Sequence, residues 1–217
     1  GNVNWMNARQ HAIESVHFGK DLKRILPIIN PDGSDSSMFD NSLEFLYLNG
    51  RSLPHAMMMM IPEPWEKNKK MSDSKKSFYK FNNFLMEPWE GPAAMAFTDG
   101  DVIGATLDRT GLRPSRYYVT KDNHLILSSE VGVLKIKPSM IKHKGRLQPG
   151  KMLVVDLKQK RIIPDEEIKE MIASELPYAK WNKEHIVTLA DFETSKGHRP
   201  PADTNLIFLQ KAFGYTH

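Results

Sequence analysis

Gly100-Asp101-Val102-Ile103-Gly104-Ala105-Thr106-Leu107-Asp108-Arg109-Thr110-Gly111-Leu112-Arg113-Pro114-Ser115-Arg116-Tyr117-Tyr118 reads as two strand-like runs flanking a turn. Gly111 and Pro114 stiffen that turn, and Arg109, Arg113 and Arg116 load it with guanidinium. Outward on the N-terminal side, Pro92 to Thr98 precedes the hairpin pair Asp99-Gly100, so 92–98 and 101–107 are expected as antiparallel strands. Outward on the other side, Tyr117 to Thr120, the turn Lys121-Asp122-Asn123 and His124 to Ser128 form a second expected hairpin. Further strands are expected at Met152 to Leu157, announced by Pro149-Gly150, and at Arg161 to Pro164.

Before Pro88 the period is helical. Trp5, Met6 and Ile13 fit one side of a short helix, and Leu22, Ile25 and Leu26 fit another that Pro27 stops. Phe39, Leu43, Leu46 and Tyr47 recur at helical spacing from about Ser37, the expected N-cap, to a stop at Gly50. Leu53 to Met60 is a helix closed by Pro62 and Pro64, and another passes through Phe78, Phe81, Phe84 and Leu85. Helices followed by a run of antiparallel strands define an α+β layered domain. After it, a helix from Asp165 to Ser174 leads to an amphipathic stretch around Trp181. Thr194 to Asn205 has linker composition. Apolar spacing returns at 206–215. The expected division is therefore residues 1–164, a connecting segment 165–205, and the start of a second domain at 206–217.

Composition narrows the function classes. The chain has 217 residues, 40% of them hydrophobic, enough for one sizeable core. Its net charge of +4 is spread along the sequence and interleaved with acids, without the dense basic face that nucleic-acid binding needs. No apolar run approaches the roughly 20 residues of a transmembrane helix, and an intracellular protein is the simplest expectation. With no cysteine and no HExxH-like histidine spacing, neither a disulfide nor a metal site is expected from these residues. The chain opens on Gly1-Asn2 and closes on Tyr215-Thr216-His217, and is expected to be a fragment at both ends.

Few residues carry chemistry. Asp35, in Gly33-Ser34-Asp35-Ser36-Ser37, is either a helix-cap or turn residue or a carboxylate that holds an α-ammonium by a charge-assisted hydrogen bond. Asp108, Arg109, Arg113 and Arg116 form either an anion site or an internal ion-pair network fixing the loop between hairpins, with Glu130 as a partner for one arginine. Met57 to Met60 point in every direction of a helix, and packing under the sheet is expected for them over a soft-metal role.

Asn2-Val3-Asn4-Trp5-Met6, Ser34-Asp35-Ser36-Ser37, Met57 to Glu63, Met86-Glu87-Pro88-Trp89-Glu90-Gly91-Pro92-Ala93, the arginine block, Ser128-Ser129-Glu130-Val131-Gly132, Lys144-Gly145-Arg146-Leu147 and Pro149-Gly150 occur in an order that resembles the class II amidotransferase domain of nicotinamide-dependent glutamate synthase large chains. Gln210 to Thr216 resembles the opening of that family's central domain. The resemblance implies the later part of an αββα sandwich of the N-terminal nucleophile hydrolase type. It implies glutaminase chemistry: a mature N-terminal cysteine attacks the glutamine carboxamide, its α-amine acts as base, and an Asn-Gly pair stabilises the oxyanion. All three would lie upstream of Gly1, so this fragment alone is expected to be inactive. Asp35 is the one glutamine contact carried over, with Ser34 and Ser36 completing its Ser-Asp-Ser motif, while Thr110 stands where the family usually has Asn.

For the full-length protein the resemblance implies ammonia transfer to a flavin-bearing barrel and reductive amination of 2-oxoglutarate to L-glutamate. FMN, an iron–sulfur cluster and NADH or NADPH would serve it, with none of their sites in this stretch, and an oligomeric assembly is expected. The alternatives are another class II amidotransferase, phosphoribosylamine-forming or asparagine-forming, which Gln210 to Thr216 argues against, and a noncatalytic domain keeping the fold for assembly.

Overall fold

The computed structural model describes residues 1–188, 191–192 and 205–213. Most of the expected linker and the end of the 206–215 segment lie outside the described residues. The chain divides into two compact units, Gly1–Glu184 and His185–His217. In the second, helix forms over Leu206–Ala212 and is capped by Asn205, whose side chain accepts from Phe208 N–H at 3.2 Å.

The first unit opens with α1 (Asn2–Arg9), α2 (Asp35–Leu48), α3 (Leu53–Met60) and α4 (Asp73–Leu85). Helix α2 starts earlier than the apolar spacing implied: its N-cap is Ser34, not Ser37, and the Ser34 hydroxyl accepts from the Ser37 N–H at 3.2 Å. Apolar periodicity reports only the packed part of a helix, whereas the first turn here is exposed. The stop at Gly50 is as expected, with Gly50 N–H bonded to Tyr47 C=O and Arg51 N–H to Leu46 C=O, a Schellman pattern. All eight residues of α3 are buried, so the four methionines pack centrally.

Seven strands follow: β1 (Ala94–Thr98), β2 (Val102–Leu107), β3 (Arg116–Thr120), β4 (Leu125–Ser128), β5 (Ile141–Arg146), β6 (Met152–Asp156) and β7 (Arg161–Ile163). They form a four-stranded sheet, β1-β2-β6-β7, and a three-stranded one, β4-β3-β5, with every pairing antiparallel. Both expected hairpins are present. The period-2 alternation of β6 divides the molecule into layers. Met152 and Val154 join Phe97 and Ile163 in the large core beneath the helices. Leu153 joins Ala105, Leu107 and Leu147 in a smaller core, against which Tyr117, Leu125 and Leu127 of the second sheet pack. The order is therefore helices, sheet, sheet: an α+β stack with three of the four layers of the implied sandwich.

In each sheet an aromatic ring lies over a glycine directly across the ladder. A Cβ on Gly104 would come within 2.1 Å of the Phe97 ring, and one on Gly145 within 2.5 Å of Tyr117.

Helices α5 (Asp165–Ser174) and α6 (Tyr178–His185) complete the fold. Both fall in the segment that composition assigned to the connection. Yet Ile168, Ile172, Ala173 and Tyr178 are buried in the large core with Trp181 against it, and the compact unit runs to Glu184. The helix Leu206–Ala212 is α7.

Candidate functional site

Asp35 is the first residue of α2, exposed, and its carboxylate makes no hydrogen bond or ion pair among the described residues. Ser34 does the capping, and its hydroxyl also lies 3.1 Å from that of Ser36. Ser34 and Ser36 line a hollow of about 490 Å³ with Met57 and with Met95 and Ala96 of the edge strand β1. Asp35 is not among the lining residues. An acidic side chain in the first turn complements the positive end of the helix dipole, while all its acceptor capacity stays available to an incoming cation.

Asp108 is the opposite case. It follows β2, is 4% exposed, and organises the whole turn. Its Oδ1 accepts from Ala93 N–H at 2.9 Å, and its Oδ2 from Thr110 N–H at 2.8 Å, from Gly111 N–H at 3.3 Å and from the Thr110 hydroxyl. Its backbone C=O accepts from Gly150 N–H at 2.9 Å. Burial raises the carboxyl pKa, but the Thr110 hydroxyl and the three amides outweigh it and hold the group below its ordinary value. Gly111 adopts φ 62° with Pro149 against it, where a Cβ would come within 2.5 Å, so the turn and the Pro149-Gly150 corner lock together.

The ion-pair network expected around Asp108 is not formed. Arg109, Arg113 and Arg116 are exposed and make no ion pair among the described residues, because the backbone has already taken the carboxylate. Glu130 is exposed too and pairs with none of them. Its backbone C=O accepts from the Ser128 hydroxyl at 2.6 Å. Arg116 stands directly across the ladder from Arg146, an arrangement tolerable only where both guanidinium groups reach water. The structure therefore brings Asp35, Ser34 and Ser36 together at one helix end and leaves the arginine block elsewhere. Arg109 lines a separate cleft of about 610 Å³ with Glu63, Trp65, Asn83 and Lys151.

Beneath that cleft lies a charged cluster that the sequence reading missed. Lys169, 2% exposed, donates to Gly150 C=O at 2.7 Å and pairs with Asp165 at 2.9 Å and Glu63 at 3.3 Å. Lys151 pairs with Asp165 at 2.8 Å and Glu63 at 3.7 Å, and the Tyr79 hydroxyl donates to Glu63 at 3.1 Å. Two carboxylates and two ammonium groups thus neutralise one another. Burial works against the charge of Asp165, but Lys169 and the hydrogen bonds from Lys151, Lys169 and Met152 N–H prevail and lower its pKa. Lys151 is raised, since its pairing with Asp165 overcomes its own desolvation. Burial first, and Glu63 next, push the Tyr79 hydroxyl well above its usual range. The Asp165–Lys169 spacing of four on one helix was the only local signal of this cluster. It ties α4, β6 and α5 together and contains no free base or nucleophile.

Among the described residues no group of three or more His, Cys, Asp or Glu is placed to hold a metal ion, and no helix is long and apolar enough to cross a membrane. A helical layer over two stacked antiparallel sheets agrees with the α+β amidotransferase fold that the sequence resembles. Residues 1–181 match the model for class-II glutamine amidotransferases, and the chain belongs to that family.

Among its relatives is the glutamate synthase [NADPH] large chain of Bacillus subtilis (strain 168), 53% identical over 217 residues, which cover all of this chain and 14% of that protein. The glutamate synthase [NADH] of Schizosaccharomyces pombe is 44% identical over 226 residues, again all of this chain and 11% of that protein. The ferredoxin-dependent glutamate synthase of Pyropia yezoensis is 40% identical over 225 residues, all of this chain and 14% of that protein. The chain thus spans a small part of the length of the curated relatives it matches.

Proposed function

We propose that the chain is the later part of the glutaminase domain of a glutamate synthase, and that Asp35 binds the α-ammonium of L-glutamine. The observation that carries this reading is the division of labour at the start of α2. Ser34 performs the capping, which leaves the exposed Asp35 carboxylate with no internal partner. A carboxylate there, with the helix dipole behind it and both oxygens open, recognises an ammonium group by charge-assisted hydrogen bonds.

The chemistry that the family resemblance implies is attack of a cysteine thiol on the glutamine carboxamide, with loss of ammonia and hydrolysis of the resulting thioester to glutamate. This chain has no cysteine and supplies substrate positioning instead. The released ammonia would then aminate 2-oxoglutarate in the complete enzyme. Of the groups implied there, FMN, an iron–sulfur cluster and NADH or NADPH, the cluster would find no thiolate in this chain. We assign all three to other parts of that enzyme.

In the complete enzyme Asp35→Ala raises the KM for glutamine by the loss of about 1.5–3 kcal/mol, while the use of free ammonia is retained. An unchanged KM would overturn the assignment and favour a noncatalytic relative in which Asp35 merely complements the helix dipole. The chain by itself releases no glutamate from glutamine, and measurable release would refute the assignment of the nucleophile to another part of the protein.

A further inference from the structure

A second cleft, of about 500 Å³, lies among the α2–α3 connection, α4 and the α5–α6 corner, and shares no lining residue with the hollow beside Asp35. Arg51 and Glu175 are the charged residues on its wall among those described, and they form no ion pair with each other or with any other described residue. The Arg51 guanidinium is half-buried, and burial lowers its pKa. A partly desolvated cation with no counter-ion has electrostatic energy to gain from an anion.

His55 adds a second polar group. It is 6% exposed, its imidazole has no hydrogen-bond partner among the described residues, and burial followed by the Arg51 charge lowers its pKa to about 4. A neutral ring of this kind donates from one nitrogen and accepts at the other. The remaining wall combines three aromatic residues with Asn49, Ser52, Asn82, Leu85 and Leu176. Phe81, Tyr178 and Trp181 pack at centroid separations of 5.2 to 5.5 Å.

We propose that this cleft binds an α-amino acid with an apolar or aromatic side chain: Arg51 and His55 take its carboxylate, Glu175 its ammonium, and the Phe81–Tyr178–Trp181 wall its side chain. An unpaired cation and an unpaired anion on one wall match a zwitterion better than either a simple anion or a simple cation. The aromatic residues favour an apolar side chain over that of glutamine, because Asn49, Ser52 and Asn82 on the same wall are engaged in hydrogen bonds within the chain. The cleft is therefore a candidate effector site, distinct from the substrate position proposed at Asp35.

The test is titration of the complete enzyme with L-phenylalanine, followed by calorimetry and by tryptophan fluorescence. L-Phenylalanine is expected to bind and to quench Trp181, a signal that Trp181→Phe removes. Phenylpropionate, which lacks the ammonium, and phenethylamine, which lacks the carboxylate, should each bind at least about tenfold more weakly. Arg51→Met and Glu175→Gln should weaken L-phenylalanine to a similar degree with unchanged circular dichroism, and Asp35→Ala should leave it unaltered. Absence of binding to the complete enzyme overturns the proposal, as does phenylpropionate binding as tightly as L-phenylalanine. Failure of Asp35→Ala to affect glutamine would bear only on the substrate site.

Discussion

Asp108 and Asp35 are the same residue type in two opposite conditions. Asp108 is buried at the end of β2, and its carboxylate accepts three backbone amides and a threonine hydroxyl. Asp35 is exposed at the start of α2, with its acceptors unspent. A buried carboxylate whose lone pairs are consumed by its own chain has nothing left for a ligand, and its removal is felt as lost stability. An exposed carboxylate whose structural duty has passed to a neighbour is felt only when a ligand arrives. The same contrast separates the Glu63–Lys151–Asp165–Lys169 cluster, closed on itself, from Arg51 and Glu175, which share a cleft without pairing.

The largest effect falls where internal consumption of charge is most complete. Lys169→Met strands Glu63 and Asp165 as under-compensated acids in the interior and should cost about 3–5 kcal/mol. Urea denaturation reads this as a fall in midpoint at constant slope. A cost below about 1 kcal/mol would mean that water reaches the cluster, and would break the contrast with exposed acids.

Asp108→Ala comes next. It leaves the N–H groups of Ala93 and Thr110 without their carboxylate acceptor, while Gly111 N–H keeps the Asp108 C=O, and the unmade hydrogen bonds put the loss at about 2–3 kcal/mol. Asp108→Asn should recover part of it, since an amide oxygen still accepts.

Acid titration tests the same carboxylate by a second route. The folded-state pKa values of Asp108 and Asp165 are both lowered, so below the ordinary carboxylate range the unfolded chain binds more protons than the folded one. Their stabilisation is fully present above about pH 4 and is lost as pH falls further through the folded-state values. Asp108→Asn should flatten this acid limb. An acid limb identical to that of the parent would show that the Asp108 pKa is not lowered.

How much of this was readable in the sequence depended on whether the partner had a letter. Helix α3, the hairpins and the Gly50 stop follow from apolar spacing and turn residues, because those signals are local. Strand β5, Ile-Lys-His-Lys-Gly-Arg, escaped because its inward positions include Gly145, whose apolar cover is the Tyr117 ring of the neighbouring strand. The partners of Asp108 escaped because backbone amides are the same at every position, and three nearby arginines offered a more conspicuous choice. The buried cluster joins residues 63, 79, 151, 165 and 169, too far apart for pattern to link them. Asp35 was singled out only through family resemblance; by residue type alone it read first as a cap or turn residue, and the structure gives the capping to Ser34.

The smallest effects lie at that helix start. Ser34→Ala removes the acceptor for the Ser37 N–H and should cost about 1 kcal/mol, the usual value of an N-cap. Asp35→Ala should cost less. It breaks no internal hydrogen bond, and the only stabilisation it forfeits is the attraction between an exposed carboxylate and the helix dipole, about 0.3–1 kcal/mol and weaker in salt. Measured together, the two substitutions therefore rank in one order for stability, Ser34 above Asp35, and in the reverse order for glutamine affinity in the complete enzyme. A stability loss at Asp35 as large as that at Asp108 would mean that its carboxylate is already engaged by the chain, and the distinction between a spent and an unspent aspartate would fail at the residue on which the substrate assignment rests.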